Sequence, residues 1–340
     1  MTNSLGQEAL DLDGGSQSLF AHFDGAHVSP ERPPQPTMNE AKASIDALVR
    51  DGLHYRFSSQ YRDLVEFIKR FRQYSPFNGL LVHLQDPGAA FVATPAHWRS
   101  NYGRKISELA RPIVILRPKG PVMVVFDVRH TEPDGSGGDL PLGVLDPMAA
   151  AATLPDYELH ACWERLLDNA KRDGIRIRTK DEGHHSAGYA RVSAGDLLVR
   201  PPSRPGDIAT THPLRFDIVV NANDPIADQL ATLLHELGHI YCGHLGTRNP
   251  KHWESRLLET KETREFEAES VAYIAMSRFD PKIVMGRHIS QIVTSMNEIP
   301  PIGLQVVLRT AGLLIEMATK RLPDRSDPPR AARRSRNGNQ

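Results

Sequence analysis

The sequence predicts an α+β protein of two domains between unstructured ends, and three observations predict it. Helical periodicity and short β-branched runs occur together in both halves of the 340 residues. A Gly-, Pro- and Ala-rich stretch at 132–155 separates those halves. Late in the second half, an apolar helical stretch at 230–240 carries His235-Glu-Leu-Gly-His239. The expected organisation is a tail at 1–38, a small N-terminal α+β domain at 39–132, a linker at 133–155, a second domain at 156–322 and a basic tail at 323–340.

Each element follows from local pattern. Residues 1–38 are rich in Gly, Ser, Pro and Gln and lack periodicity, which predicts disorder. Helical spacing begins near Asn39 (Ala41, Ile45, Leu48, Val49) and resumes over 61–74. A short apolar helix at 78–85 follows Ser75-Pro76. Residues 91–94, 112–116 and 122–126 are short runs bounded by Pro and Gly and read as strands. Beyond the linker come a helix at about 156–173, strands at 175–179, 188–192, 196–199 and 216–220, and the His235 helix. A second helix carries Glu265 and Glu269, and two more reach about Leu322.

Composition excludes several classes. Cys162 and Cys242 are too few for a disulfide framework, which fits a reducing cytoplasm. No basic-then-apolar leader opens the chain and no apolar run is long enough for a membrane span. Charge balances at 41 basic against 41 acidic residues, yet residues 55–131 hold 12 Lys and Arg against 5 acids. That segment also holds Tyr61, Phe71, Tyr74, Phe77, Phe91, Trp98 and Tyr102. Cations for phosphates and rings for stacked bases suit single-stranded DNA, although a basic surface over an ordinary aromatic core has the same composition.

The chemistry lies in the His-Glu-Leu-Gly-His stretch. Histidines four apart stand one turn apart on one helix face and can offer two nitrogens to one metal ion. Glu236 can then take a proton from water that the metal activates. The set points to a Zn2+-dependent hydrolase, most simply one that cuts a protein substrate. For the third ligand, the position six residues after His239 is Leu245, and His244 stands one residue early behind Gly243. Glu265 and Glu269 share a helix face, so one can ligate while the other supports a ligand histidine, and Glu267 on another face is a further alternative. Tyr241, His184, His185 and Tyr273 are all candidates to stabilise a developing oxyanion.

His-Glu-Leu-Gly-His followed by Glu265-Phe-Glu-Ala-Glu269 resembles the ImmA/IrrE-type and ArdC-type gluzincin peptidases, which carry a short H-E-x-x-H helix and then E-x-x-A-(N/E/D). The resemblance implies a zincin-like domain with His235, His239 and Glu265 as ligands, Glu236 as general base and Glu269 in support. Tyr74-Ser-Pro-Phe-Asn-Gly-Leu-Leu-Val-His-Leu-Gln85, Trp98 before Gly103-Arg104, Ile113-Val-Ile-Leu-Arg-Pro118 and Phe126-Asp-Val-Arg-His-Thr131 resemble the ArdC N-terminal domain. That likeness implies a single-stranded DNA-binding module over residues 55–132, with Trp98, Arg99, Arg104 and Lys105 as contacts. The chain departs from the pattern at Ser107-Glu-Leu-Ala, where a Lys-Gly turn is usual, and in its long linker.

Three function classes follow. One is an endopeptidase brought to its protein substrate by DNA. Another is an antirestriction protein that coats single strands, its metal domain secondary. The third is a regulatory peptidase that cleaves repressors and docks protein through its N-terminal domain.

Overall fold

In a computed structural model of the chain, the residues described are 55–325, except 56, 118–119, 136, 138, 182, 184–186, 203–205, 207 and 248. The helical pattern expected near Asn39 and the expected disorder at 1–38 lie outside them. The described residues show helices and sheets together, the expected α+β class, and fall in one compact unit.

Helix α1 (Ser58–Arg70) buries Tyr61, Leu64, Val65 and Ile68, the stripe its spacing predicts. Helix α2 (Pro76–Gln85) starts where Ser75 accepts a hydrogen bond from the Asn78 N–H at 3.3 Å, with Pro76 in the first turn, where a missing N–H costs nothing. Strand β1 (Val92–Ala93) leads to helix α3 (Pro95–Tyr102), which the sequence reading did not include. Its signals were Thr94, which caps the His97 N–H, Pro95 at the first turn, and Gly103 in the left-handed region that ends it. Strand β2 (Arg104–Ile106) pairs with β5 (Thr131–Pro133), while β3 (Ile113–Arg117) and β4 (Gly120–Asp127) form a hairpin that β1 extends.

The Asn78 and Gln85 side chains explain part of the motif in which they occur. Asn78 both donates to and accepts from the backbone of Leu116 at 3.0 Å, and Gln85 does the same to Val114 at 2.8 and 2.9 Å. Two amides, two helical turns apart, thus occupy the outer edge of β3, which would otherwise present unpaired backbone groups.

The stretch expected as a linker contains a turn of helix, α4 (Leu142–Leu145), whose Val144 packs with Phe91, Ala93 and Trp98 in a small second cluster. The chain continues through α5 (Asp156–Lys171), β6 (Ile175–Lys180), β7 (Gly188–Val192), β8 (Leu197–Arg200), β9 (Thr210–Pro213) and β10 (Phe216–Asn221). Strand β10 lies between β6, parallel, and β7, antiparallel. Its Phe216, Ile218 and Val220 enter the main core, and Asp217 on the other face is covered by Arg176 at 2.6 and 3.0 Å. Helices α6 (Ile226–Tyr241), α7 (Lys261–Met276), α8 (Arg287–Ser295) and α9 (Leu304–Thr319) complete the described fold.

One core spans both expected domains: α1 and α2 share it with α5, α6, α7 and α9. The apolar face of α1 packs against α2 and also against α7 and α8 of the other half. Tyr61 donates to Ser270 Oγ at 2.5 Å. Arg72 donates to the carbonyls of Ser277 and Arg278, while Arg278 donates back to those of Phe71 and Tyr74 at 3.0 and 2.8 Å. Each arginine therefore satisfies carbonyls just past the other's helix, where a cation is favoured. Burial, with Arg72 nearby, pulls the Arg278 pKa down to about 9. Two residues expected in the C-terminal tail are held by the fold: Asp324 pairs with the buried Arg200 at 2.5 Å and Arg325 pairs with Asp173. No helix among the described residues is long and apolar enough to cross a membrane.

Candidate metal centre and the expected nucleic-acid face

Helices α6 and α7 pack closely because Gly238 lies where they meet. A Cβ there would stand 3.3 Å from the Cα and carbonyl oxygen of Ala268. That approach brings Glu265 to the two histidines. His235 Nε2 and His239 Nε2 are 3.1 Å apart, and Glu265 Oε2 lies 3.5 and 3.6 Å from them. Ligands of a tetrahedral ion with bonds of about 2.0–2.1 Å are separated by about 3.3–3.4 Å, so this triangle has the size of a metal's coordination shell. The donor set, two imidazoles and one carboxylate, fits a divalent metal with a position left for water.

The electrostatics agree with that division of labour. Hydrogen bonds from His235 and then His239 hold the Glu265 carboxyl well below the usual carboxylate range, against its partial burial. Burial lowers the affinity of His235 for a proton, but the Glu265 hydrogen bond and the charges of Glu236, Glu265 and Glu269 outweigh it, and its pKa is raised. Glu236 is 9% exposed and burial raises its pKa, with the two histidines and a backbone hydrogen bond from Ala190 in β7 opposing. A carboxylate with raised basicity beside the triangle is suited to take a proton.

Glu269, expected to hydrogen-bond a ligand histidine, turns to another helix, while its charge still bears on His235. Its Oε2 accepts from the Ile289 N–H at 3.1 Å, in the first turn of α8. A Cβ at Gly286 would fall 1.7 Å from Glu269 Oε1, so Gly286 is what lets the carboxylate reach that turn. The neighbours of His239 are residues that the sequence offered only as rival ligands. His244 Nδ1 lies 3.0 Å from His239 Nδ1, and its Nε2 lies 2.8 Å from Glu267 Oε2. Glu267 is fully buried, pairs through both oxygens with Arg256 and accepts from the Gly303 N–H at 2.7 Å. Gly243, with φ 81°, turns the chain after α6 and thereby returns His244 to the helix. Arg256 carried no signal in the sequence. It arrives from the segment between the two helices.

The oxyanion candidates separate as well. Tyr241 is buried and donates to Asp173 at 2.8 Å, and Tyr273 donates to Glu66 at 2.5 Å. His184 and His185 lie outside the described residues.

The expected nucleic-acid face is altered more. Trp98 is 0% exposed and donates through Nε1 to the Phe126 carbonyl, so it is a core residue and offers no ring for a base. Tyr61, Phe71, Phe77 and Phe91 are buried too, because the small sheet and α1 need those rings as packing. Arg104 spends its guanidinium on Thr131, with 2.7 Å to Oγ1 and 2.6 Å to the carbonyl, which braces β2 against β5. Lys105 is exposed with Glu132 at 3.9 Å, and Arg99, Arg111 and Arg117 are exposed.

Residues 170–289 match the IrrE N-terminal-like domain, a peptidase family. This segment contains both helices of the triangle. No curated protein matches the chain. Among solved structures, the Mn(II)-bound crystal structure of the antirestriction protein ArdC from plasmid R388 is similar at 15% identity, covering 84% of this chain and 99% of that one, with a TM-score of 0.32.

Proposed function

We propose that this protein is a zinc-dependent endopeptidase in which His235, His239 and Glu265 hold the metal and Glu236 is the general base. The observation that carries this reading is the triangle of three donor atoms, 3.1–3.6 Å apart, in a segment that matches a peptidase family. Two imidazoles, one carboxylate and an open position form the ligand set of catalytic zinc. Zinc bound there would lower the pKa of water to about 7 and polarise a carbonyl. Glu236 would take the proton and later pass it to the leaving amine. Strand β7 ends its sheet, and Ala190 within it hydrogen-bonds Glu236. An extended peptide adding to that outer edge would carry its carbonyls past the base.

Nucleic acid belongs to this reading in a reduced form. Exposed Arg99, Lys105, Arg111 and Arg117 favour contact with phosphates, whereas burial of Tyr61, Phe71, Phe77, Phe91 and Trp98 leaves fewer rings for bases to stack on. An antirestriction role rests on the likeness of residues 55–132 to the ArdC N-terminal domain. The test is metal content measured beside casein or self-cleavage, with and without single-stranded DNA. Stoichiometric zinc and chelator-sensitive cleavage are expected. Protein that takes up no divalent metal on reconstitution would overturn the proposal.

A further inference from the structure

We infer that His244 and Glu267 form a positioning chain behind the metal site, holding His239 as the tautomer that presents Nε2 to the metal. The inference rests on the proposed metal centre and extends it by two residues and a direction.

The direction follows from donor and acceptor counting. His239 contributes Nε2 to the triangle, so as a neutral ligand it carries its proton on Nδ1. That Nδ1–H lies 3.0 Å from His244 Nδ1, which must therefore accept. The proton of His244 then sits on Nε2, 2.8 Å from Glu267 Oε2, and a carboxylate can only accept. Each donor meets an acceptor in this order alone. Reversing His244 would set two N–H groups against each other and a lone pair against the carboxylate, and reversing His239 would set two lone pairs against each other.

The far end is anchored. Glu267 is 0% exposed, and Arg256 and the Gly303 N–H occupy its oxygens. A buried carboxylate so paired stays charged, although burial alone would raise its pKa. Ligand histidines commonly donate directly to a carboxylate or carbonyl. Here a second imidazole stands between, so the charge of Glu267 reaches the metal ligand through His244, and Arg256 ties the segment between α6 and α7 to the same chain.

Cys242, His244 and Glu267 also place three donor atoms within 4.8 Å of one another, which raises the question of a second metal. The guanidinium at both Glu267 oxygens would repel a cation. The Cys242 thiol donates to Thr310 Oγ1 at 3.7 Å, and burial pushes it up to about 12. A protonated thiol is a poor ligand, and the cluster is therefore the support of one site.

The test uses the full chain and reads metal affinity by chelator competition, together with the visible spectrum of the cobalt-substituted protein. His244→Leu should weaken zinc and cobalt binding about 10–100-fold, the usual cost of losing such support, and change the cobalt spectrum. Glu267→Gln should do likewise, because its amide presents hydrogens to a donor. His244→Gln should keep near-parental affinity, since an amide oxygen can accept from His239 while its NH2 donates to Glu267. Parental affinity and spectrum in folded His244→Leu would overturn the chain and leave the metal centre standing. A parent protein that binds neither metal would overturn both. If His244→Leu does not fold, the glutamine variant decides: near-parental affinity supports the chain, and a tenfold loss with native circular dichroism overturns it.

Discussion

The metal-bearing helices and the basic segment at 55–131 both carry sequence signals of a site, and folding treats the two differently. At α6 and α7, two histidines given by helical spacing and a glutamate given by spacing together with the resemblance converge: His235, His239 and Glu265 bring their donor atoms within 3.6 Å of one another. Between residues 55 and 131, residues chosen by type and charge disperse. Tyr61, Phe71, Phe77, Phe91 and Trp98 enter the core while Tyr74 and Tyr102 stay half-buried, Arg104 braces a strand pair, and Arg99 and Lys105 remain at the surface. Positions four apart on a helix are neighbours in any fold that keeps the helix, so a spacing argument survives folding. An aromatic residue says only that a large apolar surface must go somewhere. A core takes such surface first, since burying a ring is worth several kcal/mol and stacking a base about 1–3 kcal/mol.

The comparison breaks most readily at the metal. Ala in place of His235 or His239 should abolish stoichiometric zinc and all hydrolysis, and Glu265→Ala should weaken metal binding strongly. Glu236→Gln should retain the metal and lose hydrolysis by about 10²–10⁴-fold. Elemental analysis beside a peptide-cleavage assay separates the two outcomes, and a Glu236→Gln protein that cleaves normally would remove the assigned base. If Glu267→Ala and Glu265→Ala exchanged these roles, the triangle would not be the ligand set.

A smaller effect separates packing from recognition in the other region. Trp98→Ala should cost about 3–5 kcal/mol of stability, seen as a lower urea midpoint with little change in slope. Under conditions where the variant is folded, its affinity for DNA should match the parent's. A large loss of DNA binding at unchanged stability would restore the ring as a contact and reverse the structural reading.

The smallest effect concerns charge. Replacing Arg99 with Ala should reduce the salt dependence of single-stranded DNA binding by about 0.7 in log–log slope, the amount expected for one phosphate contact. Binding should also discriminate little between duplex and single strand, because phosphates occur in both and most of the rings that would tell them apart are buried. Fluorescence anisotropy over a salt series measures both. A clear preference for single strands would point to stacking groups beyond the rings described here, and no binding at low salt would leave the segment as packing for α7.

Much of the secondary structure was legible. The expected helices at 78–85 and 156–173 and the strands at 175–179, 188–192 and 216–220 fall within or nearly on observed elements, because apolar periodicity and Gly or Pro punctuation act over a few residues. Helix α3 was also legible in principle, through Thr94 and Pro95. The roles of Asn78 and Gln85 were not, since each depends on a strand some thirty residues away.

By itself the sequence determined the pair of histidines on one helix face, the glutamate between them, and the second helix with its acidic face, because a hydrogen-bonded helix imposes those positions from within. Spacing left the acid beside the histidines open between Glu265 and Glu269, the resemblance implied Glu265, and the tertiary structure is what brings it there. Glu265, Glu267 and Glu269 lie within five residues on α7, yet one meets the histidines, one is buried against Arg256 and His244, and one caps α8. It also decided that the N-terminal helices share the core of the metal-bearing half, since an apolar face announces that it will be buried but not against what. Spacing along a chain is local geometry. The choice of partner is settled only when α6, α7, α8 and the loop carrying Arg256 compete for the same space.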